Sequence, residues 1–112
     1  MDISKELTAA SSIPLILSIL NQGETYGYEI IRKVEFLSGG DIQWKDGMLY
    51  PVLHKLEKKG LISSDWRIAP ETNRKRKYYR ITNSGKKQLQ TEQAHWQTMN
   101  GMLAKLWNTQ KI

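Results

Sequence analysis

The sequence predicts a mainly α chain with one small β-hairpin and a long terminal helix. Three observations predict it. Apolar residues recur at helical spacing in separate stretches, two short alternating stretches flank a loop of turn residues, and the last quarter keeps its apolar residues to one heptad stripe.

From residue 5 to 22, Leu7, Ile13, Ile16, Leu17 and Leu20 fall at helical spacing. Pro14 interrupts them, so either the helix starts near Ser12 with the proline in its first turn, or it runs through Pro14 with a kink. Gln22-Gly23-Glu24 ends the stretch. Thr25 is placed to cap a second helix, Tyr26 to about Leu37, with Ile30, Ile31, Val34 and Leu37 turned inward and Glu29, Arg32, Lys33 and Glu35 toward water. Ser38-Gly39-Gly40 stops it. Alternation in Asp41-Ile42-Gln43-Trp44-Lys45 then predicts a short strand with Trp44 in the core.

Asp46 to Ile62 reads as a helix of about four turns. Leu49, Val52, Leu53 and Leu56 share its buried face. The opposite face carries Gly47, Pro51, His54 and Lys58, flanked by Met48, Tyr50 and Lys55, and holds no acid. Asp46 is placed to cap the start, Pro51 falls near the first turn, and Gly60 closes the end.

Leu61 to Ile68 puts Ile62, Ser64, Trp66 and Ile68 on one side, and Lys75 to Ile81 puts Lys77, Tyr79 and Ile81 on one side; both read as strands. Ala69-Pro70-Glu71-Thr72-Asn73-Arg74 between them has turn chemistry. Arg74-Lys75-Arg76-Lys77 leaves the tip of that hairpin, followed by Tyr78 and Tyr79, one of which alternation places in the core and one on the surface.

Asn83 to about Asn108 is helical again. Leu89, Trp96, Met99, Leu103 and Leu106 keep to heptad a and d positions, with Glu92 in the remaining d position. A narrow apolar seam on a polar helix needs another helix over it, supplied either within the domain or by a second copy. Gly101 costs about 1 kcal/mol against alanine, which favours order from external packing.

Helix, helix, short strand, helix, strand, basic loop, strand is the succession of a winged helix-turn-helix, whose third helix enters the major groove while the hairpin lies over adjacent backbone. Residues 1–82 are expected to form that unit and 83–112 a terminal dimerisation helix, the two making one compact body. At 112 residues the chain leaves no room for a separate sensing domain.

The charge is local. The net +6 divides into four bases and seven acids over residues 1–53, eleven and three over 54–90, and two and one over 91–112. A solvated basic face is the bland explanation, but such asymmetry favours a polyanionic partner. There is no cysteine, and the two histidines lie far apart, so neither disulfide nor thiolate chemistry nor a metal site is expected, and no cofactor. His54 has no second ligand at helical spacing. The longest strongly apolar run, Ile13 to Leu20, contains Pro14 and is too short to span a membrane, so a cytoplasmic protein is expected. No phosphate loop, paired-histidine motif or nucleophile with a base is present, so no enzyme is expected.

The motifs carry a resemblance. Tyr26-Gly27-Tyr28-Glu29-Ile30, then Gly47-x-Leu49-Tyr50-Pro51-Val52-Leu53-His54-Lys55-Leu56-Glu57-Lys58-Lys59-Gly60-Leu61-Ile62, then Arg76-Lys77-Tyr78-Tyr79-Arg80-Ile81-Thr82 with Gly85 after it, together resemble the PadR family of bacterial transcriptional regulators over about residues 7–108. The resemblance implies a homodimeric repressor on an imperfect inverted repeat. It points to the short subfamily, some of whose members bind flat hydrophobic drugs between protomers. In those members a tryptophan of the last helix stacks on the ligand, and Trp96 occupies the matching place. Two departures stand out. Met48 replaces a common threonine or serine, and the wing tip is Glu71-Thr72-Asn73 where glycines are common.

The expected partners are therefore double-stranded DNA, a second copy of the chain, and a small multidrug or phenolic effector. Gly47, Met48, Tyr50, Pro51, His54, Lys55 and Lys58 of the third helix, with Arg74, Lys75, Arg76, Lys77 and Tyr78 of the wing, are the candidate DNA-contacting residues. Leu89, Trp96, Met99, Leu103 and Leu106 are the candidate dimer seam. Trp96, with Glu92 and Asn100 one turn to either side, is the candidate effector platform, Glu92 offering a carboxylate to a cationic aromatic. Two copies would present their third helices about 34–36 Å apart, or a multiple of it, on a near palindrome. A winged-helix adaptor for an acidic protein, and nonspecific nucleic-acid coating, are the competing readings.

Overall fold

A computed structural model describes residues 3–108; residues 1 and 2, and residues 109–112 at the end of the segment expected at 83–112, lie outside it. Helix α1 (Lys5–Gln22) starts where Ser4 Oγ accepts the Leu7 amide at 3.1 Å. It runs through Pro14, which settles the open alternative against a start near Ser12. The Ser11 and Ser12 hydroxyls donate to the Leu7 and Ala9 carbonyls at 2.8 Å in the turn ahead of the proline.

Thr25 does not cap the next helix. Thr25–Tyr26 form a two-residue strand, β1, paired antiparallel with Tyr79 and Tyr78, and α2 (Gly27–Leu37) begins after it with Tyr26 at its N-cap. No strand forms at Asp41–Lys45; the Ile42 amide donates to Ser38 Oγ at 2.9 Å instead of joining the sheet. Of the inward stripe on α2, Ile30 and Val34 are buried and Ile31 is half-buried, whereas Leu37 is exposed beyond the edge of the core. Trp44 is buried, with no hydrogen-bond partner for its indole Nε1 among the described residues.

Helix α3 (Asp46–Lys58) is capped by the extended Lys45, whose carbonyl accepts the Met48 and Leu49 amides at 3.0 and 2.9 Å. Asp46 is thus the first helical residue and not the cap, and its carboxylate complements the positive helix end. Pro51 is past the first turn, inside the helix. The helix ends at Lys58, short of Ile62. Gly60, at φ +76°, lets the Leu61 amide turn back to the Leu56 carbonyl at 3.0 Å, and Ile62 opens a strand. Leu49, Leu53 and Leu56 are fully buried, while Val52 is half-buried.

Strands β2 (Ile62–Ala69) and β3 (Arg74–Ile81) form the hairpin, and the sheet order is β1-β3-β2. The register pairs Ile62 with Ile81, Ser64 with Tyr79, Trp66 with Lys77 and Ile68 with Lys75. Directly opposed residues share a face, so these eight stand on one side. Only its inner end is covered: Ile62 and Tyr79 are buried, but Trp66 is 64% and Ile68 59% exposed. At the wing tip Asn73 takes φ +56°, the conformation expected of a glycine.

Thr82 caps α4 (Asn83–Trp107) by accepting the Gly85 amide at 3.0 Å, and the same hydroxyl donates to the Gly60 carbonyl at 2.6 Å. The two ends meet there. Gly85 is obligatory at this junction, since a Cβ on it would penetrate the Leu61 carbonyl oxygen and lie 2.7 Å from Ile81 Cγ1. One core gathers Ile16, Leu17 and Leu20 of α1, Ile30 and Val34 of α2, Leu49, Leu53 and Leu56 of α3, and Leu89 of α4 around Tyr79. Beyond Leu89 the long helix leaves that core, and the molecule measures 59 × 31 × 21 Å.

Candidate nucleic-acid interface

The outer face of α3 is bare. Gly47, Pro51, His54, Lys55 and Lys58 are exposed, and none of these cationic side chains forms an ion pair among the described residues. Met48 turns partly inward and packs against the edge of the core. Tyr50 leans over the start of α2: a Cβ at Gly27 would sit 2.5 Å from its hydroxyl oxygen, so the bare glycine makes the space for the ring. Burial, and then the Asp46 charge, raise the Tyr50 phenol above its ordinary pKa, which keeps it a hydrogen-bond donor.

Strand alternation divides the four consecutive cations. Arg74 and Arg76 stand on the outer face of the sheet and Lys75 and Lys77 on the inner. Arg76 pairs with Glu71 at 2.5 Å and lies over the Tyr26 ring at 3.8 Å; Lys77 is 3.7 Å from Glu57. Arg74 and Lys75 are exposed and form no ion pair among the described residues. The uniform cationic run thus reduces to two unengaged charges at the tip.

Behind Arg74 the outer face compensates itself. Asp65 accepts from Arg67 at 2.9 Å and Arg80 at 2.7 Å, and Arg67 also pairs with Glu24. The Arg67 hydrogen bond, with that of Arg80, holds the Asp65 carboxyl below its usual range. Tyr78, expected to be either core or surface, is half-buried: Arg67 covers it at 4.5 Å and the Tyr26 ring meets it edge-on at 5.7 Å.

The inner face borders a cleft of about 590 Å³ between the wing and the starts of α2 and α3, lined among others by Tyr28, Tyr50, Trp66, Lys75 and Lys77. Sequence reasoning put Trp66 on the correct face but did not include it, or Tyr28, in the site. The available signal was strand length: with eight residues in each strand, the distal half outruns the helical layer that buries Ile62. Glu57 anchors the base of the wing by accepting from Ser64 Oγ and pairing with Lys77.

On α4, Leu89 is buried, Trp96 and Leu103 are half-buried, and Met99 and Leu106 are exposed, as are Met102 and Trp107. Trp96 lines an apolar cleft of about 400 Å³ with Leu7, Pro14, Leu15 and Ile42. Glu92 and Asn100 do not line it; Glu92 accepts from Gln88 at 3.3 Å and Asn100 is exposed. Among the described residues no group of three or more acids, histidines or cysteines could hold a metal ion, and no helix is long and apolar enough to cross a membrane.

Comparison with known proteins agrees with this geometry. The model of the transcriptional regulator PadR-like family matches residues 16–91. A transcriptional regulator from Clostridium thermocellum superposes with a TM-score of 0.80 at 29% identity, covering 90% of this chain and 97% of that one. A PadR family transcriptional regulator from Eggerthella lenta gives 0.74 at 32% identity, covering 93% and 88%. An uncharacterized protein of Lysinibacillus sphaericus is 35% identical over 82 residues, 73% of this chain and 74% of that protein.

Proposed function

This chain belongs to the transcriptional regulator PadR-like family, whose members are DNA-binding regulators and not enzymes, and from that premise we propose a homodimeric repressor of an inverted-repeat operator, released by a small aromatic effector. Helix α3 lies in the major groove with Pro51 and His54 meeting bases and Tyr50, at its margin, meeting the backbone, while Lys55 and Lys58 position it on phosphates. Gly47 allows close approach of the helix start, and Met48 offers its edge to the groove. In the wing, Arg74 and Lys75 supply phosphate contacts, with smaller parts for Arg76, Lys77 and Tyr78, which are already engaged within the fold. The observation that carries this reading is the bare, acid-free face of α3 beside two wing-tip cations that form no ion pair among the described residues.

The stripe of α4 beyond the core supports pairing with a second copy through Trp96, Met99, Leu103 and Leu106, whereas Leu89, expected in that seam, is taken up by the protomer's own core. Trp96, at an apolar cleft, supports a flat effector stacked there; Glu92 and Asn100, which do not line that cleft, reach the effector only from the helix of the second copy.

A mobility-shift titration with the duplex upstream of its own coding sequence tests the proposal. Arg74→Ala with Lys75→Ala should weaken every duplex and flatten the log K against log salt slope by roughly 1.8, about 0.9 per phosphate contact. Planar drugs and phenolic acids should reverse the shift and quench Trp96 fluorescence, and Glu92→Gln should weaken cationic ligands selectively. A chain that ignores duplex DNA but is retained on an acidic peptide would defeat the reading.

A further inference from the structure

The two faces of the wing are chemically opposite. The outer one carries four arginines, of which Arg67, Arg76 and Arg80 are matched by Glu24, Asp65 and Glu71 and Arg74 stands at the tip. The cleft beside the inner one is lined by aromatic rings, a glycine and cations, with Tyr26 and Arg76 reaching it from the outer side of the β3 edge and no carboxylate among its lining residues. An exposed tryptophan above an acid-free basic cleft is an unpartnered surface whose charge calls for an anion and whose flat wall calls for something apolar.

A DNA strand offers both in alternation. Each deoxyribose presents C–H groups, and each linkage a phosphate. With a recognition helix in the major groove and a wing over the neighbouring backbone, the ridge of one strand lies between the two elements. The cleft lies between those same elements here, with Tyr50 of α3 on one wall and Trp66 of β2 on the other.

We infer that this cleft seats the sugar–phosphate ridge of one DNA strand, Trp66 packing on a deoxyribose while Lys75 and the Tyr50 hydroxyl meet the flanking phosphates. Trp66 is then a binding residue without sequence preference, outside the set of α3 residues that read bases. Lys77, held near Glu57, adds less than Lys75, which has no ion pair among the described residues. Ile68, opposite Lys75 and equally bare, extends the apolar wall toward the tip. The inference rests on the DNA-binding reading above.

The test uses the full chain to select duplexes from a random library, then measures affinity and salt slope on the selected duplex and a scrambled one. Trp66→Ala should weaken both by a similar factor, about tenfold as for loss of an aromatic stacking contact, with the salt slope and the thermal midpoint unchanged. Trp66→Phe should recover most of the loss, and Lys75→Ala should lower the slope by about 0.9. If Trp66→Ala binds both duplexes like the parent, the seat is wrong and the DNA-binding reading stands. A loss confined to the selected duplex would mean a base contact and likewise overturn the seat. A parent chain that selects no duplex defeats both.

Discussion

Tyr50 and Gly27 belong to different helices, yet each sets the other's identity. The ring occupies the place of the missing Cβ, so Gly27→Ala must swing the phenol out of its position. Alanine is a better helix former than glycine, so the fold should tolerate the change. The expected result is a near-parental thermal midpoint with DNA affinity reduced severalfold, read by mobility shift. Tyr79 makes a separate prediction. Burial pushes its phenol from the ordinary 10.0 up to about 12, so the folded chain keeps a proton that the unfolded chain releases. That contribution is complete below pH 10.0 and is lost as pH rises toward about 12. Alkaline unfolding followed by circular dichroism should show a steeper loss over this window in the parent than in Tyr79→Phe.

Among the elements, those with a strong repeat are legible in the amino-acid sequence alone. The stripe Leu49, Leu53, Leu56 and the stop at Gly60 mark α3, and the unbroken polar length after Asn83 marks α4. What escapes is set by distant partners. Two residues, Thr25 and Tyr26, are too few to show alternation, and they become a strand only because β3 offers its free edge; the clearer alternation at Asp41–Lys45 pairs with no strand. The division of the four wing cations into engaged and free pairs depends equally on Glu71, Tyr26 and Glu57, which periodicity does not bring together. The junction of α3, the wing and α4 yields the sharpest stability prediction. Gly85→Ala should destabilise by on the order of 3 kcal/mol through overpacking against backbone. Thr82→Ala should cost about 1–2 kcal/mol as a lost cap. Both are measurable by urea denaturation, and a neutral Gly85→Ala would contradict the packing described.

As a whole molecule, the chain is longer than its core needs. Its radius of gyration is 16.1 Å, against about 13 Å for a compact chain of this size. The excess belongs to α4, which leaves the core after Leu89 and carries Leu106, 66% exposed, and Trp107, 71% exposed, into solvent. In the proposed dimer that bare stripe is where the second copy lies. Sedimentation equilibrium at micromolar concentration should report twice the monomer mass of 13.0 kDa, and Leu103→Glu should return it to a monomer that binds only one half of the operator, weakly.

The hydroxyl of Thr82 holds the Gly60 carbonyl, just past the end of α3, while capping α4. Thr82 thus ties the end of the proposed reading helix directly to the start of the proposed pairing helix, across the base of the wing that joins them along the chain. In the proposed dimer, a molecule wedged beside Trp96 that rotates one α4 against its mate would therefore carry both reading heads off their spacing at once, with no relay between the wedge and the grip.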